Sequence, residues 1–251
     1  MTVKDIYDYI DSFAPFASQA EWDNAGLLAG DADRDVTAVI VSLDVTKSEI
    51  ELAKREKAEL ILSHHPLIFH PVKTCLKNSV LFDVVHGGLS VISAHTNLDK
   101  AVDGVNDTLC ETIGLGFEKI DAPIADGFLN ICTDERCLSP DSFAKYLGER
   151  LSAGVRFSRG GEKVSKIAVC SGAGSEFASE AASLGCDAFL TGDASYHDFL
   201  NCSEMGISLF SAGHFETENP IIYKLAERLG EHFPSVRFIV SDRKPPVETV
   251  N

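Results

Sequence analysis

Histidines and carboxylates recur in this chain just past the ends of apolar runs. "LILSHHPLIF" sets His64 and His65 after Ser63, and "LSVISAHTNLD" sets His95 and Asp99 after Ala94. "AFLTG" is followed by Asp193, His197 and Asp198, and "LFSAG" by His214, Glu216 and Glu218. His64, His65, Asp99, His214 and Glu218 together supply three imidazoles and two carboxylates. That nitrogen and oxygen set suits Zn, Mn, Fe, Co or Ni rather than Ca. No cysteine belongs to it, which argues against a closed structural zinc site. Five protein ligands exceed the three usual for one catalytic zinc and suit a pair of metals about 3.5–4 Å apart if a carboxylate and a water bridge them. His95 and His197 are the candidates for orienting a ligand or moving a proton.

The elements that must position these residues are strands. Neighbouring side chains alternate across a strand, so His64 and His65 can share a target only beyond its end. Apolar runs at 36–43, 59–63, 89–95, 128–133, 154–158, 166–171, 187–192, 207–213 and 236–241 read as strands. Helical patterns fall between several of them: 48–58 with Ser48 as a cap, a helix opened by Ser139-Pro140, "EFASEAASLG", and a helix from about Pro220. Alternating strands and helices imply an α/β fold with a mostly parallel or mixed sheet. In such sheets ligands bind beyond the carboxyl ends of the strands, where the histidines and acids lie. In "GHFETENP" the next helix is expected to start at Thr217 or Asn219, so that His214 and Glu218 need not share a regular helix.

A shift of 128 residues lays Val39–Ser63 over Ile167–Thr191, and a shift of 118 lays "LSVISAH" over "ISLFSAG". Order is preserved across both copies, as expected of a duplication with two similar α/β halves, 1–125 and 126–251.

The 251 residues allow a sizeable core, and the formal net charge of −16 disfavours nucleic acid and anionic membranes as partners. Seven scattered cysteines read as reduced thiols of a cytoplasmic protein. "MTVKDIYDYIDSF" has helical spacing at Ile6, Ile10 and Phe13 and no signal-peptide core, and no apolar run is long enough for a membrane span. "SGAGSE" (171–176) could hold a phosphate but reads better as a tight turn. Trp22 reads as a packed anchor beside an Asp23-Asn24 turn. His70 and His86 read as surface or supporting residues, and the tail from Lys244 as loose.

"EWDNAGLLAGD", "SHHPLIF", "AHTNLD", "TGDASYHD" and "GHFETE" resemble, in order, the motifs of the Nif-three-like proteins, whose members are called GTP cyclohydrolase 1 type 2 homologs. The resemblance runs from about Ile6 to about Leu229. It implies a dinuclear metal centre on His64, His65, Asp99, His214 and Glu218, and a toroidal homohexamer of short-form α/β subunits. Asp193 departs from the glutamate that similar proteins often carry there, which leaves its role open. Two functions follow. One is a metal-dependent hydrolase of a nucleotide or related small molecule, in which two divalent ions lower the pKa of a water. The other is a metal-binding ring or scaffold without turnover.

Overall fold

The computed structural model describes residues 1–119 and 124–247. The chain divides into two compact units, which do not meet at a single cut between 125 and 126. Met1–Val102 together with Ile221–Arg243 form the first, and Asp103–Pro220 form most of the second. The correction has a physical cause: the last strand returns to extend the first sheet.

Elements are numbered along the chain. The first unit holds α1 (Val3–Phe13), β1 (Gly26–Ala29), β2 (Ala38–Ser42), α2 (Lys47–Glu56), β3 (Leu60–Ser63), α3 (Val80–His86), β4 (Ser90–Ser93) and α4 (Thr96–Lys100). To it return α10 (Pro220–His232), from Ile221 on, and β11 (Arg237–Val240). Its sheet runs β1-β4-β3-β2-β11, with β4, β3, β2 and β11 parallel and β1 antiparallel at the edge. β2, β3 and β4 are buried at every residue, which explains their unbroken apolar runs. Ile50 and Ala53 of α2 and Val84 of α3 pack on Ile40, Ile61 and Val91. Thr46, not Ser48, caps α2, in a capping box with Glu49.

The second unit holds α5 (Val105–Ile113), β5 (Gly116–Lys119), β6 (Asn130–Leu138), α6 (Pro140–Leu151), β7 (Arg156–Phe157), β8 (Val164–Val169), α7 (Ala178–Ser183), β9 (Ala188–Thr191), α8 (Tyr196–Glu204), β10 (Ser208–Ser211) and α9 (His214–Glu218). Its sheet order is β5-β6-β8-β9-β10-β7, with β8, β9 and β10 parallel. Leu109 and Ile113 of α5 and Phe143 and Leu147 of α6 cover one face through Ile167, Leu190 and Phe210. Ala178 and Ala181 of α7 and Cys202 of α8 cover the other through Ala168, Phe189 and Leu209. As expected, Ser139 caps α6 and Pro140 opens it.

The duplication is visible in the hydrogen bonding. Val39 pairs with Leu60 and Ile167 with Ala188, each at the shift of 128. Leu60 pairs with Ser90 and Ala188 with Ser208, so the 118 shift holds for the third strand. Glu59 accepts from the Thr37 and Ala38 amides, and Asp187 accepts from those of Ser165 and Lys166, at the same shift. Both carboxylates tie the start of one strand to the next.

Residues 244–247 carry no helix or strand, and 248–251 of the tail expected to be loose lie outside the described residues. Among the described residues no helix is long and apolar enough to cross a membrane.

Candidate metal centre

In the first unit the chain leaves β3 with its backbone still bonded. The His64 amide donates to Ser42 O at 3.2 Å and the His65 amide to Leu43 O at 2.8 Å. The Ser63 hydroxyl donates to His65 O at 2.8 Å. These bonds hold both rings near one point instead of on opposite faces. His64 Nδ1 donates to Ala94 O at 2.8 Å, and His65 Nδ1 donates to Asp44 Oδ1 at 2.8 Å. Arg243 Nη1 in turn donates to Asp44 Oδ2 at 3.1 Å. His95, at the N-cap of α4, donates from Nδ1 to Asp23 Oδ1 at 2.8 Å. With Nδ1 engaged as a donor, each ring keeps Nε2 as its lone-pair nitrogen. One ring nitrogen from each of His64, His65 and His95 lies within 4.8 Å of the others. Asp99, on the short helix that His95 opens, brings Oδ1 to 3.6 Å from His64 Nε2.

Asp23 anchors this group. Its side chain is fully buried and also accepts from the Thr96 amide and hydroxyl and from its neighbour's amide, Asn24 N. Burial alone would raise the carboxyl. The bonds from His95, Thr96 and Asn24 outweigh it and lower Asp23 to about 2. Asp23 therefore stays anionic and keeps the His95 proton on Nδ1.

In the second unit β10 leads through Gly213, at φ 91°, straight into α9. The expectation that His214 and Glu218 need not share a helix is corrected. His214 opens α9 and Glu218 closes it, one turn apart on one face. Gly213 permits the sharp turn out of the strand, because its φ of 91° is one that L side chains rarely adopt. His214 Nδ1 donates to Asp193 Oδ2 at 2.7 Å, and His214 Nε2 lies 3.1 Å from Glu218 Oε2. The acid whose role the sequence left open thus orients His214. Gly172, at φ 58°, makes room: a Cβ there would collide with Glu218 Oε1 and come 3.3 Å from His214 Nε2.

The Gly172 turn belongs to "SGAGSE". Its Ser171, Gly172 and Gly174 amides donate to Asn106 Oδ1, Thr217 Oγ1 and Thr191 Oγ1. Three amides that could have held a phosphate are spent inside the protein, so the segment is a structural turn. His197 lies exposed on the first turn of α8, against Tyr196, and among the described residues no metal-capable grouping includes it. His70 is exposed beside Phe69, and exposed His86 stacks on Phe82 at the end of α3. Trp22 is not a packed anchor: it is 60% exposed. Its neighbour Asp23 makes the buried contacts instead.

The residues present suit divalent transition metals. Lone-pair nitrogens, carboxylates and partners behind each ring are the usual surroundings of such an ion. Sequence reasoning missed Asp44, Asp23 as more than a turn residue, Gly172 and Arg243. Asp44 follows β2 as His65 follows β3, so the strand-end rule could have found it. Nothing local marks Arg243, which meets Asp44 from 199 residues away.

Known proteins resemble this chain in sequence and in fold. A protein from Clostridium perfringens called GTP cyclohydrolase 1 type 2 homolog is 34% identical over 264 residues, covering 100% of both chains. The Helicobacter pylori strain J99 protein called GTP cyclohydrolase 1 type 2 is 28% identical, over 99% of each chain. The crystal structure of Staphylococcus aureus hypothetical protein SA1388 superposes with a TM-score of 0.90 at 26% identity, covering 100% of this chain and 99% of that one. The family model Duf34/NIF3 (NGG1p interacting factor 3) matches residues 1–246, and the chain belongs to that family.

Proposed function

We propose that this protein is a metal-dependent hydrolase of a nucleotide or a related small molecule. In this reading two divalent ions per chain are held by His64, His65, Asp99, His214 and Glu218. The observation that carries the reading is the pattern behind the rings: His64, His65, His95 and His214 each engage Nδ1 on a carbonyl or carboxylate. A bond on Nδ1 behind each ring is the usual support of a histidine that ligates a metal through Nε2. When bound, such ions act as Lewis acids and lower the pKa of water. The chain's own part is to fix the rings and manage protons. His95 Nε2 accepts a proton while Asp23 stabilises the resulting imidazolium. His197, on the exposed start of α8, is the second candidate for proton transfer. The names of the relatives direct attention to GTP first. Assembly into a toroidal homohexamer belongs to the same reading, and a solution mass of six chains checks it.

The test is elemental analysis with turnover of GTP and other nucleotides, on wild type, His65→Ala and Glu218→Ala reconstituted with Zn, Mn, Fe, Co or Ni. About two ions per chain, lost in both variants with folding intact and turnover abolished, is the expected outcome. Wild type that binds no ion after reconstitution sinks the metal reading. Metal binding without turnover of any substrate leaves the scaffold function in its place.

A further inference from the structure

Trp22 poses a physical problem. Tryptophan is highly buried on average, and its large apolar ring gains from leaving water. Here it is 60% exposed, yet the backbone beneath it is fixed. The next residue, Asp23, is locked by His95 and Thr96, and Asn24 Nδ2 donates to Ile68 O at 2.5 Å. That last bond ties the Trp22 loop to the segment carrying Phe69, which is 40% exposed. The rings meet at 5.9 Å and 55°, and each lies 6.2 Å from His95, edge-on. Among the described residues no ring stacks face to face on Trp22, so two exposed aromatic rings make an open corner against the histidine cluster.

We propose that Trp22 and Phe69 form a stacking subsite for a planar heteroaromatic ring of the nucleobase class, seated beside His95. This deepens the hydrolase reading and rests on it. Aromatic side chains hold bases through their π-faces with little regard to base identity. The same corner sets both aromatic rings 6.2 Å from His95, in the histidine cluster, and that argues for a substrate ring over a distant docking partner.

Trp22 is the chain's one tryptophan, so its fluorescence reports on this spot alone. The zinc-loaded full chain is titrated with GTP, ATP and UTP, with tripolyphosphate as the control lacking a base. Acrylamide should quench free Trp22 strongly. Nucleotides should quench it saturably and shield it from acrylamide, while tripolyphosphate should do neither. Phe69→Ala, which keeps the fluorophore, should weaken nucleotide binding about tenfold. By equilibrium dialysis Trp22→Ala should lose about tenfold or more, and Trp22→Phe should recover most of it. Zinc content should be unchanged in all three. No saturable quenching by any nucleotide, or equal quenching by tripolyphosphate, overturns the proposal. So does a Trp22 already shielded in the free protein, which would mean that a second copy covers the ring. Zinc bound through His65 with no nucleotide quenching would sink the subsite alone. Quenching without zinc binding would sink the metal reading alone.

Discussion

The two units share a frame and differ in what they hang on it. β1-β4-β3-β2 and β7-β10-β9-β8 have the same order, directions and pairings, down to Leu27 opposite Ile92 and Phe157 opposite Phe210. Past the strand ends the chemistry is offset by one residue. The 118 shift lays His95 on Gly213, Thr96 on His214 and Lys100 on Glu218. The first unit puts its histidine at the N-cap of α4, and the second puts it at the first position of α9. The 128 shift lays Asp44 on Gly172. In the first unit that position carries the acid behind His65. In the second it carries nothing, and the space goes to Glu218. A duplicated scaffold fixes where a site can be, while side-chain volume and a one-residue offset decide what it holds.

Exchanging the two solutions tests this most severely. Gly172→Asp should collide with Glu218 and force a non-glycine residue to φ 58°. We expect a loss of about 3 kcal/mol in denaturant unfolding and the loss of metal bound through Glu218. A stable, fully loaded Gly172→Asp would break the comparison. The orienting acids come next. Asp44→Asn and Asp193→Asn should each weaken metal binding about 10- to 100-fold by competition with a chelator. Asp44 should matter more, because Arg243 holds it and Asp193 is 60% exposed. An equal effect would show that the support behind Asp44 is idle.

Asp23 carries a pH signature. Its folded pKa lies below the usual carboxylate value, so its contribution is fully present above about pH 4 and is lost as pH falls through about 2. Asp23→Asn should cost about 2 kcal/mol at neutral pH, with the gap to wild type closing between about pH 4 and 2. A gap that persists unchanged at pH 2 would mean the bonds do not depend on the charge. The smallest effect tests the frame itself. Glu59→Gln and Asp187→Asn each weaken bonds to strand amides, and each should cost about 1 kcal/mol at neutral pH. The bonds from the Thr37 and Ala38 amides outweigh burial and lower the Glu59 carboxyl, so its share vanishes in acid as Glu59 is protonated. Markedly unequal costs would show that the repeated pairing is kept for different reasons in the two units.

The apolar runs made most strands and the repeat legible, because fully buried parallel strands leave unbroken runs of Val, Ile and Leu. The clustering of His and acid past those runs marked His64, His65, Asp99, His214 and Glu218 as candidates. α4 and α9 escaped because five residues are too few to show a helical period. β1 was hidden by the turn residues that precede it.

What the sequence determined by itself is the alternation of strands and helices, the duplicated order and the class of donor at each strand end. These follow from local pattern and side-chain chemistry. Only the tertiary structure decided that β11 rejoins the first sheet, that Arg243 stands behind Asp44, and that Gly172 yields its space to Glu218. It also decided that Asp23 locks His95 while Trp22 stays in solvent. Those outcomes depend on pairings between residues far apart in the chain, where burial and hydrogen bonding choose among partners that no local pattern names.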